Sequence, residues 1–253
     1  MTITFLGTGT SQGVPVIACN CEVCTSADPR DNRLRTSIFI EGEGKVIVID
    51  SGPDFRYQML RAKVQHLDAI VFTHEHKDHI AGLDDIRAFN YKQSGPVDVY
   101  ADLRVQASLK REFHYIFDEF KYPGIPQLNL RTIGSGTFNI GKINFTPIEV
   151  MHHKLPVLGF RIKDFTYITD AKTVSETEKE KIKGSKILVI NALQKQNHIS
   201  HFTLDEAIAF AEEMGAGKTY FTHISHRLGR HGAVSEMLPG NVELAWDGLK
   251  LSI

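Results

Sequence analysis

The 253-residue chain contains no apolar stretch near the ~18 residues that a membrane-spanning helix needs. Its first residues, Met1-Thr2-Ile3-Thr4-Phe5-Leu6-Gly7, include no basic segment and no long apolar run. They read as a strand and not as a secretory signal, so the expected location is cytoplasmic. Neither sign of charge is in excess: 29 basic and 30 acidic residues leave a formal net charge of −1. That balance excludes bulk attraction to nucleic acid or to an anionic membrane. Cysteine is scarce, and all three cysteines lie between positions 19 and 24. An odd, clustered set excludes a disulfide framework and suits metal binding. There is no linker, low-complexity tract or short-period repeat, so a single domain over residues 1–253 is expected. The length is enough to bury a large core without covalent staples.

What is present alternates between two periods. Strand-like runs occur at Ile3–Leu6, Ser37–Ile40, Val46–Asp50, Ala69–Phe72, Val97–Tyr100, Ile143–Pro147, Phe165–Ile168, Ile187–Ile190, Thr219–Thr222 and Val242–Ala245. Helical patterns fall between them at Asp54–Ala62, Leu103–Glu112, Ser175–Lys181 and Leu204–Met214. Thr203-Leu204-Asp205-Glu206 has the form of a capping box opening the last helix. Alternation of this kind through both halves makes the class α/β. Several chemistry-bearing residues directly follow strands: His74, Asp170 and His223. Strand ends are where α/β folds place chemistry on a rigid frame.

The densest signal is Thr73-His74-Glu75-His76-Lys77-Asp78-His79. Imidazoles and a carboxylate together suit zinc, manganese or iron. In a strand-to-helix turn His74 and His76 point the same way, while Asp78 and His79 open the next helix on an adjacent face. Four side chains diverging from one turn serve two metals more naturally than one. A second cluster, Cys19-Asn20-Cys21-Glu22-Val23-Cys24, has thiolate spacing that can wrap one zinc, which then needs a fourth ligand.

His-x-His-x-Asp-His, preceded by a strand ending in Asp50-Ser51-Gly52, resembles the metallo-β-lactamase superfamily. The resemblance covers nearly the whole chain and implies a four-layer αββα sandwich. It also implies two catalytic divalent metals, zinc or manganese. His74, His76 and His152 would hold one, Asp78, His79 and His223 the other, and Asp170 would bridge them. Asp50 would orient a ligand histidine. His153 competes with His152, since only one of two neighbours in an extended segment can point inward.

Gly7-Thr8-Gly9-Thr10-Ser11-Gln12-Gly13-Val14-Pro15, the cysteine trio and Phe221-Thr222-His223-Ile224-Ser225-His226 narrow the likeness. Together they resemble the phosphoribosyl cyclic phosphate phosphodiesterase group. That resemblance implies a structural zinc on Cys19, Cys21, Cys24 and His226. It implies a small, cyclic phosphodiester as substrate, attacked by a hydroxide bridging two metals, with Asp78 and His201 carrying catalysis. His201 of Asn197-His198-Ile199-Ser200-His201 is the expected proton donor to the leaving oxygen, with His198 as its rival.

Two further stretches have open readings. Lys110–Tyr122 is aromatic and charged, with Phe113, Ile116, Phe117 and Phe120 at helical spacing. It reads as a helix packed on the core, or as a substrate lid or homodimer contact. Arg30, Arg33 and Arg35 read as a solvated loop or a phosphate clamp. Rival activities are a transfer-RNA 3′-processing endonuclease, a thioesterase or glyoxalase II-like enzyme, and a zinc-bearing cofactor-handling protein akin to the pyrroloquinoline quinone biosynthesis relative. The 18-residue interval between His152 and Asp170 leaves little room for an RNA-gripping arm, and only 30 residues follow His223.

Overall fold

Val46-Ile47-Val48-Ile49 is apolar at every position, the pattern of a strand covered on both faces. In the computed structural model, which describes residues 1–120 and 122–253, Ile47 and Ile49 enter one buried cluster and Val48 another. That strand lies in the first of two sheets. The first half of the chain supplies β1 (Thr2–Gly7), β2 (Ser37–Gly42), β3 (Lys45–Ile49), β4 (Ala69–Val71), β5 (Val97–Ala101) and β6 (Leu128–Thr132). The second half supplies β7 (Phe138–Ile140), β8 (Ile143–His152), β9 (Leu155–Ile162), β10 (Phe165–Tyr167), β11 (Thr173–Val174), β12 (Ile187–Asn191), β13 (Lys218–Thr222), β14 (Val242–Leu244) and β15 (Lys250–Ser252). One sheet runs β15-β1-β2-β3-β4-β5-β6; the other runs β11-β8-β9-β10-β12-β13-β14, with β7 beside β8.

The helices are α1 (Phe55–Ala62), α2 (Lys77–Ile80), α3 (Arg87–Gln93), α4 (Leu103–Glu112), α5 (His114–Phe117), α6 (Glu176–Ile182), α7 (Leu204–Met214) and α8 (His231–Ser235). Three buried clusters define the layers. Ile3, Phe5, Ile49 and Val71 meet Phe145, Phe160 and Val189 between the sheets. Phe55 and Met59 of α1 and Val105 and Leu109 of α4 cover the outer face of the first sheet. Ala207, Phe210 and Met214 of α7 cover the outer face of the second. The order helix, sheet, sheet, helix is the αββα sandwich of a metallo-β-lactamase fold. No described helix is long and apolar enough to cross a membrane.

Each strand expected from sequence is present, with ends shifted by a few residues. The capping box also forms: the Glu206 N–H donates to Thr203 Oγ1, and the Thr203 N–H donates to the Glu206 carboxylate. The largest extension is β8, which passes through Pro147 to His152. Pro147 lies between the stretches of β8 that β7 and β11 cover, so that edge asks for no N–H there. Of the aromatic segment, Phe113 and Ile116 are buried, while Phe120 and Tyr122 are exposed; Lys121 lies outside the described residues.

Each member of the arginine cluster has a partner within the chain. Arg30 pairs with Asp28 and Arg35 with Asp54. Arg33 is buried, donating to Thr8 Oγ1 at 2.8 Å, to the Ala245 carbonyl and to His231 Nδ1 at 3.0 Å. Burial and the Arg33 charge push the His231 imidazole down to about 4. The unfolded chain therefore takes up this proton first as pH falls. Stability present above pH ~6.5 drains away toward pH 4. His231→Gln, which keeps an acceptor for Arg33, should flatten the fall of melting temperature across that window. An unchanged slope would show that another group controls it.

Candidate metal centre

β3 and β4 are parallel neighbours in one sheet, and β10, β12 and β13 are parallel neighbours in the other. The segments after β3, β4, β10 and β13 carry Asp50, His74–His79, Asp170 and His223. Asp50, Asp170 and His223 all adopt left-handed backbone, with φ of 64°, 54° and 54°. Non-glycine residues rarely accept that geometry, and such strain concentrates at functional sites. Gly52 lets the loop after β3 press against α2: a Cβ there would stand 2.0 Å from the Asp78 carbonyl oxygen. Gly82 meets the Gly52 carbonyl in the same way, at 2.1 Å.

Asp170 is the centre of the cluster. Its Oδ2 lies 3.3 Å from His79 Nε2 and 3.3 Å from His223 Nδ1, and its Oδ1 lies 3.9 Å from His201 Nδ1. His79 Nε2 is also 3.2 Å from Asp78 Oδ2. Asp78, His79 and His223 present ligand atoms within 4.8 Å of one another, as do His74, His79 and Asp170, and as do His152, Asp170 and His201. His76 joins through His74, Nδ1 to Nε2 at 3.0 Å, and its ring centroid is 5.2 Å from that of His152. All seven expected catalytic-metal residues thus converge. His201 converges with them although it stood outside the expected ligand set.

The histidine alternatives separate by position. His152 is the last paired residue of β8, and its Nδ1–H donates to the Ser200 carbonyl at 2.9 Å, leaving Nε2 toward the cluster. His153 begins the two-residue turn to β9 with φ of 57° and is exposed. His201 is buried, its ring 4.9 Å from His223 and 4.4 Å from His152. His198 stands one ring further out, 5.1 Å from His201 and bonded to Ser200.

Charge alternates through the cluster. Burial opposes a proton on His79, but Asp78, Asp170 and Asp50 outweigh it and raise its pKa well above the usual imidazole range. Burial pushes His74 well below that range. Burial also opposes ionisation of Asp170, yet His223 and His79 hold its carboxyl well below normal. The orphaned atom is informative. His79 Nε2 is buried and makes no hydrogen bond among the described residues, although two carboxylates flank it. Its Nδ1 is fixed by Asp50 Oδ2 at 2.7 Å. An unpaired ring nitrogen aimed between two carboxylates fits a divalent metal.

The second cluster fits a closed metal site. Sγ of Cys19, Cys21 and Cys24 lie 3.3, 3.4 and 3.5 Å from His226 Nδ1. Ligands at ordinary Zn–S and Zn–N lengths in a tetrahedron stand about 3.6 Å apart. The Cys24 backbone N–H helps hold the Cys21 thiol down to about 6, while burial raises Cys24 to about 11.

The β-lactamase superfamily domain profile matches residues 45–224. A solved diphosphatase of the PhnP family superposes with a TM-score of 0.94 at 40% identity, covering 100% of this chain and 97% of that one. The chain is a metallo-β-lactamase superfamily member of the PhnP family. Zinc-bound PqqB from Methylobacterium extorquens shares the fold, with a TM-score of 0.81 at 19% identity and full coverage of both chains. An octanoyltransferase from Porphyromonas gingivalis is 38% identical over 256 residues, covering 100% of this chain and 52% of that protein. The chain therefore spans about half the length of that curated relative. Family and PhnP neighbour together support a metal-dependent hydrolase.

In this PhnP-family site, threonines place the charged groups. Thr73 Oγ1 donates to Asp50 Oδ2 at 2.8 Å, and Thr169 Oγ1 donates to Asp170 Oδ2 at 2.6 Å. Thr10 Oγ1 lies 3.4 Å from His223 Nε2. None of the three stood out in the sequence reading. A usable signal existed for two of them: threonine directly precedes His74 and Asp170.

Proposed function

We propose that this chain hydrolyses a P–O bond in a small phosphodiester, with two divalent metals held by the Asp170-centred cluster. The observation that carries this reading is the orphaned His79 Nε2 between Asp78 and Asp170, in a chain 40% identical to a PhnP-family diphosphatase. His74, His76 and His152 would hold one metal, Asp78, His79 and His223 the other, with Asp170 shared. Bound there, the metals supply Lewis-acid charge for the phosphoryl oxygens and lower the pKa of water. The third metal, zinc on Cys19, Cys21, Cys24 and His226, has no open position and serves the fold.

The remaining work falls to side chains. Asp50 fixes the tautomer of His79, Thr169 fixes the Asp170 carboxylate, and the Ser200 carbonyl fixes His152. His201 faces the leaving oxygen. Burial pushes its imidazole down to about 2, against the pull of Asp170. The free site therefore holds it neutral at pH 7. An anionic phosphoryl group beside it would raise its proton affinity, so with substrate bound His201 would take a proton from water and pass it to the leaving alkoxide, returning to its neutral form.

His201→Ala should lower kcat by roughly 10²–10⁴-fold on an alkyl phosphodiester. The loss should shrink to a few-fold with p-nitrophenolate, which needs little protonation, and metal content should stay unchanged. Loss of a metal would make His201 a ligand instead. The metal claim is tested by stripping the protein with chelator, restoring zinc or manganese, and following bis(p-nitrophenyl) phosphate hydrolysis. Full activity after verified stripping would overturn it.

A transfer-RNA-processing role fits less well. His152 and Asp170 are joined by a two-residue turn, β9 and β10, with no extension to grip RNA. We assign the octanoyl transfer of the Porphyromonas gingivalis relative to the part of it beyond the match. That relative runs to about 490 residues, so roughly 240 remain unmatched, an ordinary domain size.

A further inference from the structure

Between α1 and α3 lies a groove of about 490 Å³, away from the metal cluster. Met59, Leu60, Val64 and Phe89 form its apolar lining. Leu60 is 59% exposed there. Three cations, Arg56, Lys63 and Lys92, rim it against one acid, Asp85. Among the described residues, no carboxylate pairs with any of the three. An apolar floor with an uncompensated basic rim is a surface that a protein with an acidic, apolar patch would cover.

The ends of the chain lie on the same side. Lys63 also lines a neighbouring hollow of about 370 Å³, whose walls include Thr4 of β1 and Lys250 of β15. Thr4 pairs with Lys250, and the Met1 amine donates to the Ile253 carbonyl at 2.9 Å. Three residues of strand separate Thr4 from Met1, about 10 Å. The Porphyromonas gingivalis relative matches this chain from end to end, so its unmatched residues lie outside the match and are not inserted within it. Joined at either end, that part of the relative begins about 10 Å of strand from Thr4, in the hollow adjoining this groove.

We propose that the groove between α1 and α3 docks an octanoyltransferase, the partner that the relative carries in the same polypeptide. This rests on the reading that octanoyl transfer belongs to the unmatched half. A groove of this size makes a small interface, at the weak end of specific contacts. Covalent joining compensates by raising effective concentration to the millimolar range. As separate chains the two proteins therefore bind with a Kd on the order of 10 µM, and the basic rim makes the affinity fall with salt. The pairing places a hydrolase of small phosphodiesters beside an enzyme that moves an eight-carbon acyl group.

The test titrates this protein with the octanoyltransferase of the same organism by calorimetry in ~50 mM salt. Binding near 10 µM is expected, weakened at least tenfold by Leu60→Glu and again by 0.5 M sodium chloride. Leu60 is exposed, so the variant should keep its melting temperature and its hydrolysis of bis(p-nitrophenyl) phosphate. No heat at 200 µM of each protein overturns the proposal, as does unchanged binding by the variant. So does sedimentation showing that Leu60→Glu converts a dimer of this chain alone into monomer, because the groove would then be a self-contact. The underlying reading is tested separately in the full-length Porphyromonas gingivalis protein. Replacing the aspartate aligned with Asp170 should leave octanoyl transfer intact. Loss of transfer there overturns the reading and the docking proposal together, whereas retained transfer without binding overturns the docking proposal alone.

Discussion

Asp170→Ala is expected to reduce hydrolysis by on the order of a thousandfold or more, with the fold retained. Asp170 joins three of the site's histidines: His79, His223 and His201 all lie within 4 Å of its carboxylate. Removing it deprives both proposed metals of a shared anionic ligand and leaves the buried His79 and His223 imidazoles with less counter-charge. Asp78→Ala should act similarly on one metal, since Asp78 flanks His79 Nε2 from the other side at 3.2 Å. Turnover on bis(p-nitrophenyl) phosphate, metal content and far-UV circular dichroism together check the outcome. Low turnover with native dichroism and reduced metal is the expected pattern. Near-normal turnover in either variant would remove the dinuclear reading. Unfolding of Asp170→Ala alone would leave Asp78→Ala, in the first turn of α2, as the deciding variant.

The second large effect concerns stability. Cys21→Ser should lower the melting temperature by about 10 °C, which for a chain of this size corresponds to roughly 3 kcal/mol. The thiolates and His226 tie the loop before β2 to the loop after β13. His226 follows His223 by three residues, and the Ile224 N–H donates to the Thr8 carbonyl. Loosening this junction therefore reaches the metal centre at second hand. Metal content should fall from about three to about two per chain, and activity should fall less steeply than stability. A variant with full metal content and an unchanged melting temperature would show that the cysteines hold no zinc.

Much of this site was legible from sequence because its chemistry is local. His74, His76, Asp78 and His79 fall within six residues, and so do the three cysteines, so spacing alone marks them. Asp170 and His223 were legible only by their order after strands, since one aspartate or histidine carries no signal by itself. Strands covered on both faces, such as β3 and β12, were readable as continuous apolar runs. β9 was not, although it is central between β8 and β10, because Pro156 and Gly159 interrupt its pattern. β6 was missed for the opposite reason: as an edge strand it buries little, so its side chains need not be apolar. The partners of the arginine cluster were not legible because charge in sequence says nothing about partners. Arg33 turned out to be a buried brace and Arg35 a partner of Asp54. Thr10 was not legible because its role depends on a contact 213 positions away.

The most direct measurement is a side-by-side hydrolysis assay of the metal-loaded protein. Its substrates are a cyclic ribose phosphate, a cyclic nucleotide, a dinucleoside diphosphate, an acyl thioester and a precursor transfer RNA. Release of a phosphomonoester from one of the first three is expected, with kcat/KM at least a hundredfold above the thioester and the RNA, and loss of that release in Asp170→Ala. Efficient cleavage of the thioester or the RNA, with the cyclic ribose phosphate and the cyclic nucleotide untouched, would contradict the assignment of this site to small phosphodiesters.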